Sequence, residues 1–199
     1  MSSILETVMQ QLGGGAMPQI AKQIGAGERE TGAATGAAVT TILSALARNA
    51  QRPEGAEALR GALERDHDGG VLEDLGGFLN NSQIGNGDGI LKHVLGGKRP
   101  AVERSVSKAS GLNSGQTGQL MAMLAPIVMG ALGKQRKQQG INASGLTQLL
   151  GNERQEIERA QPAAGGILGS LLDTDGDGDV DAGDLVKHGA GILGKFLGR

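Results

Sequence analysis

Ile42-Leu-Ser-Ala-Leu-Ala-Arg-Asn49 is the stretch that decides the fold, because the chain writes it a second time as Val128-Met-Gly-Ala-Leu-Gly-Lys-Gln135. Thr31-Gly32 stands ahead of the first copy and Thr117-Gly118 ahead of the second. Further out, Leu12-Gly-Gly14 resembles Leu95-Gly-Gly97, and Leu59 and Leu63 answer to Leu146 and Leu150 with a one-residue shift. The spacing predicts two similar helical units packed on one another, a tandem helical repeat bundle, joined by a short insert from roughly Asp66 to Val94.

Each unit holds one long apolar helix. Val39, Ile42, Leu43 and Leu46 share a face in the first; Leu120, Leu124, Ile127, Val128 and Leu132 do so in the second. Gly32 and Gly36 are four apart and offer a surface that a neighbouring backbone could approach closely. Glycine lowers helix propensity by up to about 1 kcal/mol per residue, so packing must compensate. Pro126 removes a backbone donor inside the second long helix. Ser2 or Ser3 can cap a first helix carrying Ile4, Leu5, Val8 and Leu12, and Pro53 suits the first turn of another carrying Leu59 and Leu63. Turns are expected at Asp66-His-Asp-Gly-Gly70 and Asn86-Gly-Asp-Gly89. No segment shows the β-branched alternation of a strand, so the class is all-α.

Composition narrows the functions. The 199-residue chain has no Cys, which excludes disulfides, thiolate catalysis and Cys-based zinc sites. With no Trp or Tyr and two Phe, it lacks the rings for stacking on bases. The Lys and Arg clusters are too small to track phosphates, so no nucleic-acid partner is expected. Glycine is abundant, 36 residues or about 18 % against roughly 7 % in ordinary proteins, but it is interleaved with aliphatic residues at helical spacing. The start Met-Ser-Ser-Ile-Leu-Glu has no basic region or apolar run, and no stretch reaches the ~18 apolar residues of a membrane span. A cytoplasmic protein is the expectation, with leaderless export as the alternative.

Five stretches carry a family resemblance. They are Leu12-Gly-Gly14; Ala45-Leu-Ala-Arg-Asn-Ala50 followed by Pro53-Glu-Gly55; Asp66-His-Asp-Gly-Gly-Val-Leu-Glu-Asp-Leu-Gly76; Gly89-Ile-Leu-Lys-His-Val-Leu-Gly-Gly97; and Leu124-Ala-Pro-Ile-Val-Met-Gly-Ala-Leu132. Together they resemble the bacterial domain of unknown function 937 and cover most of residues 1–151. The resemblance implies a small helical protein, and it brings no catalytic residues to carry over.

Near the C-terminus the text changes to Asp173-Thr-Asp-Gly-Asp-Gly-Asp-Val-Asp-Ala-Gly-Asp184. Asp173, Asp175, Asp177, Asp181 and Asp184 fall at positions one, three, five, nine and twelve of an EF-hand loop. Gly178 falls at the sharp turn of position six, and Asp179 offers its carbonyl at position seven. So much like charge in one place calls for a hard cation with oxygen ligands. The expected ion is Ca2+, with Mg2+ possible because Asp184 stands where a bidentate Glu is usual. The loop also resembles dockerin-type calcium repeats, which carry Asp there. Ile167, Leu168, Leu171 and Leu172 before the loop, and Leu185, Ile192, Leu193, Phe196 and Leu197 after it, predict an EF-hand-like helix-loop-helix. The competing reading is an acidic Asp-Gly tail that binds nothing. A lone loop of this kind suggests a homodimer, a protein partner or docking on its own core.

The organisation read from sequence is therefore a two-copy helical core over 1–151, a polar linker over 152–162 formed by a charged helix and a hinge, and a calcium-binding module over 163–199. Other signals are blander than they look. Gly189-Ala-Gly-Ile-Leu-Gly-Lys195 imitates a phosphate loop, but Phe196 replaces its Ser or Thr and no strand precedes it. Asp66-His67-Asp68 reads as a solvated turn with a helix cap more readily than as an acid–base pair. His93 and His188 read as half-buried packing residues, Met121, Met123 and Met129 as core filler, and Lys134, Arg136 and Lys137 as a solvated helix end. With no nucleophile elbow or paired-carboxylate cleft, the expectation is a non-enzymatic calcium-binding interaction protein. The alternatives are a membrane-surface helical protein using 163–172 and 189–197, or a hydrolase built on the Asp66–Asp68 turn.

Overall fold

The first helix, α1 (Ile4–Gly13), begins with a reciprocal cap. Ser3 accepts from the Glu6 N–H at 3.0 Å, while the Glu6 carboxylate accepts from the Ser3 N–H at 3.2 Å. The computed structural model describes residues 3–80 and 86–160. Within them run α1 (Ile4–Gly13), α2 (Ala16–Ile24), α3 (Glu28–Ala50), α4 (Pro53–Arg65), α5 (Leu75–Asn80), α6 (Gly87–Leu95), α7 (Arg99–Ser110), α8 (Ser114–Gln139) and α9 (Ala143–Ala160). Short 3-10 turns occupy Gly70–Leu72 and Gly96–Lys98. The architecture is all-α, with no strand among the described residues.

Helices α3 and α8 form the centre and pack on each other. The sequence suggests one apolar face apiece, but the burial is wider. Every residue from Ala38 to Ala47 in α3 and from Met123 to Gly133 in α8 is buried. A helix apolar all round needs neighbours all round. Helix α3 is flanked by α7, α9, α4, α2 and α6, and α8 by α6, α1, α7 and the 3-10 turn at Gly70–Leu72. Met121, Met123 and Met129 are core filler, at 4 % exposure or less.

The structure gives form to three stretches, and one of them corrects an expectation. The insert from Asp66 to Val94 is structured, holding a 3-10 turn, α5 and most of α6. Asn86-Gly-Asp-Gly89 is the start of α6, not a free turn. The charged stretch after Asn152 is helical as expected, forming the end of α9 as far as Ala160, and within it Glu153 and Ile157 are buried at 4 % and 2 % exposure. At Gly32 and Gly36, apart from chain neighbours and the helix's own backbone, no atom of the described residues lies within 4 Å of where a β-carbon would stand.

Candidate functional site

The Asp66–Gly70 turn is the first place to look for chemistry, and its residues are already engaged. It lies along the C-terminal half of α8. A β-carbon on Gly133 would fall on the His67 carbonyl oxygen, and one on Gly130 would meet the Val71 side chain. From the other side, Gly69 lies against the Lys134 β-carbon and adopts φ +108°, a left-handed geometry that side chains resist. Two backbones touch here because glycine on both strips away the side chains between them.

Charge fastens the same turn. Asp68 accepts from the Gly70 N–H at 3.2 Å and pairs with Lys137 at 3.4 Å. The Gly70 hydrogen bond, then Lys137, holds its carboxyl below the usual aspartate range. Glu64 pairs with Arg136 at 2.8 Å and with Arg60 at 2.6 Å. Thus Arg136 ties α8 to α4 at 17 % exposure, departing from the solvated helix end expected from sequence, while Lys137 is exposed as expected and reaches the turn through a surface ion pair. His67 is half-buried, and loss of hydration lowers its pKa against the opposing pull of Asp66. His93, expected to be half-buried, is exposed.

A surface cleft of about 540 Å³ opens beside this network, between Glu57, Arg60, Glu64 and Arg136 and the Gly140–Ser144 turn. Its cations are occupied. Arg60 bonds Glu57 at 2.7 Å as well as Glu64, which lowers the Glu57 pKa and raises that of Arg60. Among the described residues no three His, Asp or Glu side chains come together as a metal site. The predicted ligands Asp173, Asp175, Asp177, Asp179, Asp181 and Asp184 lie outside the described residues, as does His188.

Sequence reading missed Glu153. Its carboxylate Oε1 accepts from the Leu5 N–H at 2.8 Å, reaching from α9 to the first turn of α1. An acceptor suits the positive end of a helix dipole. The signal was present: Leu146, Leu150, Glu153 and Ile157 follow one apolar stripe, and a carboxylate on such a stripe needs a donor.

An all-α core whose polar turn serves packing is the class that these observations define. The chain belongs to the family described as bacterial protein of unknown function (DUF937), which matches residues 6–135. No curated protein matches it. No solved structure matches it either. No helix among the described residues is long and apolar enough to cross a membrane.

Proposed function

We propose that this protein is a non-enzymatic helical scaffold that binds calcium through the loop Asp173–Asp184 and engages a partner or a second copy. The observation that carries the reading is the register of the loop: five carboxylates and one carbonyl at the ligand positions, with Gly178 at the turn. The module 163–199 would then order around the ion, since its carboxylates repel one another without it. Support for a scaffold comes from the Asp66–Gly70 turn. Asp68 is spent on Gly70 and Lys137, and the His67 backbone is wedged on Gly133, which argues against the hydrolase alternative.

We also read the core as two diverged copies, α1–α4 and α6–α9. In each, two short helices precede a long central one and a medium one. Thr31 and Thr117 are both fully buried near the start of the long helices, and Leu59, Leu63, Leu146 and Leu150 are all buried.

Calorimetric titration with calcium chloride tests the proposal on the full chain. The wild type is expected to give a saturable heat, and the double variant Asp173→Ala, Asp184→Ala none. Equal heats from the two proteins would reject the site, and a parallel titration with magnesium chloride ranks the two ions.

A further inference from the structure

Asn86-Gly87 is the chain's one Asn-Gly pair. In an unfolded chain such a pair is chemically unstable, because glycine has no side chain to shield its nitrogen. That nitrogen attacks the asparagine Cγ. The new N–C bond closes a five-membered succinimide, and the side-chain nitrogen leaves as ammonia. Water then opens the ring at one of two carbonyls. Cleavage at Cγ gives aspartate in an unchanged main chain. Cleavage at the main-chain carbonyl gives isoaspartate, whose backbone runs through the side chain and is one carbon longer.

Asn86 stands immediately ahead of α6, exposed, with φ −84° and ψ 43°. Hydrogen bonding within the helix does not restrain the attacking nitrogen, since first-turn N–H groups have no acceptor there. Orientation does. Ring closure needs the Gly87 nitrogen and the Asn86 β-carbon on the same side of the Cα–C bond, and at this ψ they point in opposite directions. The Asn86 amide lies instead over Gly89, where a β-carbon would strike its oxygen, carbon and nitrogen. To react, the peptide between Asn86 and Gly87 must turn over. Gly87 is buried and rests on α8 so closely that a β-carbon would strike the Ala122 carbonyl oxygen. That carbonyl is the one whose helical donor is missing, because residue 126 is proline. Ile90, Leu91, Val94 and Leu95, all buried, hold the rest of α6 in place. The peptide therefore turns over only when the start of α6 leaves α8.

We propose that Asn86 is a deamidation site gated by the docking of α6: slow to react in the folded protein and fast once α6 is released. The fold also sorts the two products. Aspartate keeps the main chain and is a favoured residue ahead of a helix, so α6 docks again. Isoaspartate lengthens the backbone directly before Gly87, where contact with Ala122 leaves no slack, so α6 does not return to its place. The inference does not depend on the calcium reading.

The full chain, aged at mildly alkaline pH with and without guanidinium chloride, tests the gate by peptide mass mapping of position 86. Loss of ammonia is expected to be about tenfold or more faster in denaturant, since reaction of the folded chain must wait for local opening. Without denaturant, Ile90→Ala should react faster than the wild type while circular dichroism still reports a folded core. The denaturant comparison uses the wild type alone and stands if that variant does not fold. Refolding the aged wild type and separating it by size should place aspartate in the compact fraction and isoaspartate in the expanded one. Equal rates with and without denaturant, an unchanged rate in folded Ile90→Ala, or an equal share of isoaspartate in both fractions would each overturn the proposal.

Discussion

Gly133 and Gly151 differ in what a methyl group would meet. At Gly133 it would land on the His67 carbonyl, and backbone atoms on both sides leave little room to yield. Gly133→Ala is expected to destabilise by about 1–3 kcal/mol, the usual range for overpacking. Gly151 is an exposed position inside α9 with open space around it. Gly151→Ala should stabilise by about 0.5–1 kcal/mol, because alanine loses less backbone freedom in a helix. Urea denaturation of the two variants would show shifts of opposite sign. His67 adds a pH dependence. Burial lowers its folded-state pKa below the ordinary 6.5, so its neutral form suits the folded state. The associated stability is complete above that ordinary value and is lost as pH falls through the folded one. Unfolding midpoints measured downward from neutral pH should fall less steeply for His67→Gln than for the wild type.

At the scale of elements, the bond from Leu5 N–H to Glu153 joins the first helix to the last described one. Glu153→Ala should cost about 1–3 kcal/mol by leaving a donor in the first turn of α1 without its acceptor. Hydrogen exchange is expected to quicken most at the start of α1 and less in α8. Elements differed in how openly their sequence announced them. Helices α3 and α8 were plain from their long aliphatic runs, and α1 and α4 from Ser3 and Pro53. The start of α6 was hidden, because Asn, Gly and Asp usually punctuate chains, whereas here Gly87 serves contact with Ala122. The end of α9 was legible as a charged helix, but its polar residues mask Glu153 and Ile157 on the buried line. The role of the Asp66–Gly70 turn could not be read locally, since it depends on Gly130 and Gly133 far along the chain. The calcium register was explicit in the text, and its residues lie outside those described.

For the whole molecule, the family match and the folded unit have different limits. The match ends at residue 135, yet Leu146, Leu150 and Ile157 of α9 are buried at 2 % exposure or less. Removing three such side chains withdraws roughly 1.5–3 kcal/mol of burial each, a large share of the stability of an ordinary domain. A chain of residues 1–160 is therefore expected to melt in one cooperative transition, followed by circular dichroism. A chain of residues 1–142 should show none, and a cooperative transition in the shorter chain would contradict the packing described for α9.

The placement of α3 has a consequence for synthesis in the cell. Its principal wrappings, α7, α8 and α9, are all encoded later. At about 5–20 residues per second, the ribosome takes roughly 5–20 s to travel from Ala50 to the end of α8. Through that interval the nascent chain holds an oily rod, Val39 to Leu46, with only the short α1, α2 and α4 available to cover it. Selective ribosome profiling of nascent-chain chaperones should find their footprint opening once Val39 to Leu46 has emerged from the exit tunnel and closing once α8 has cleared it.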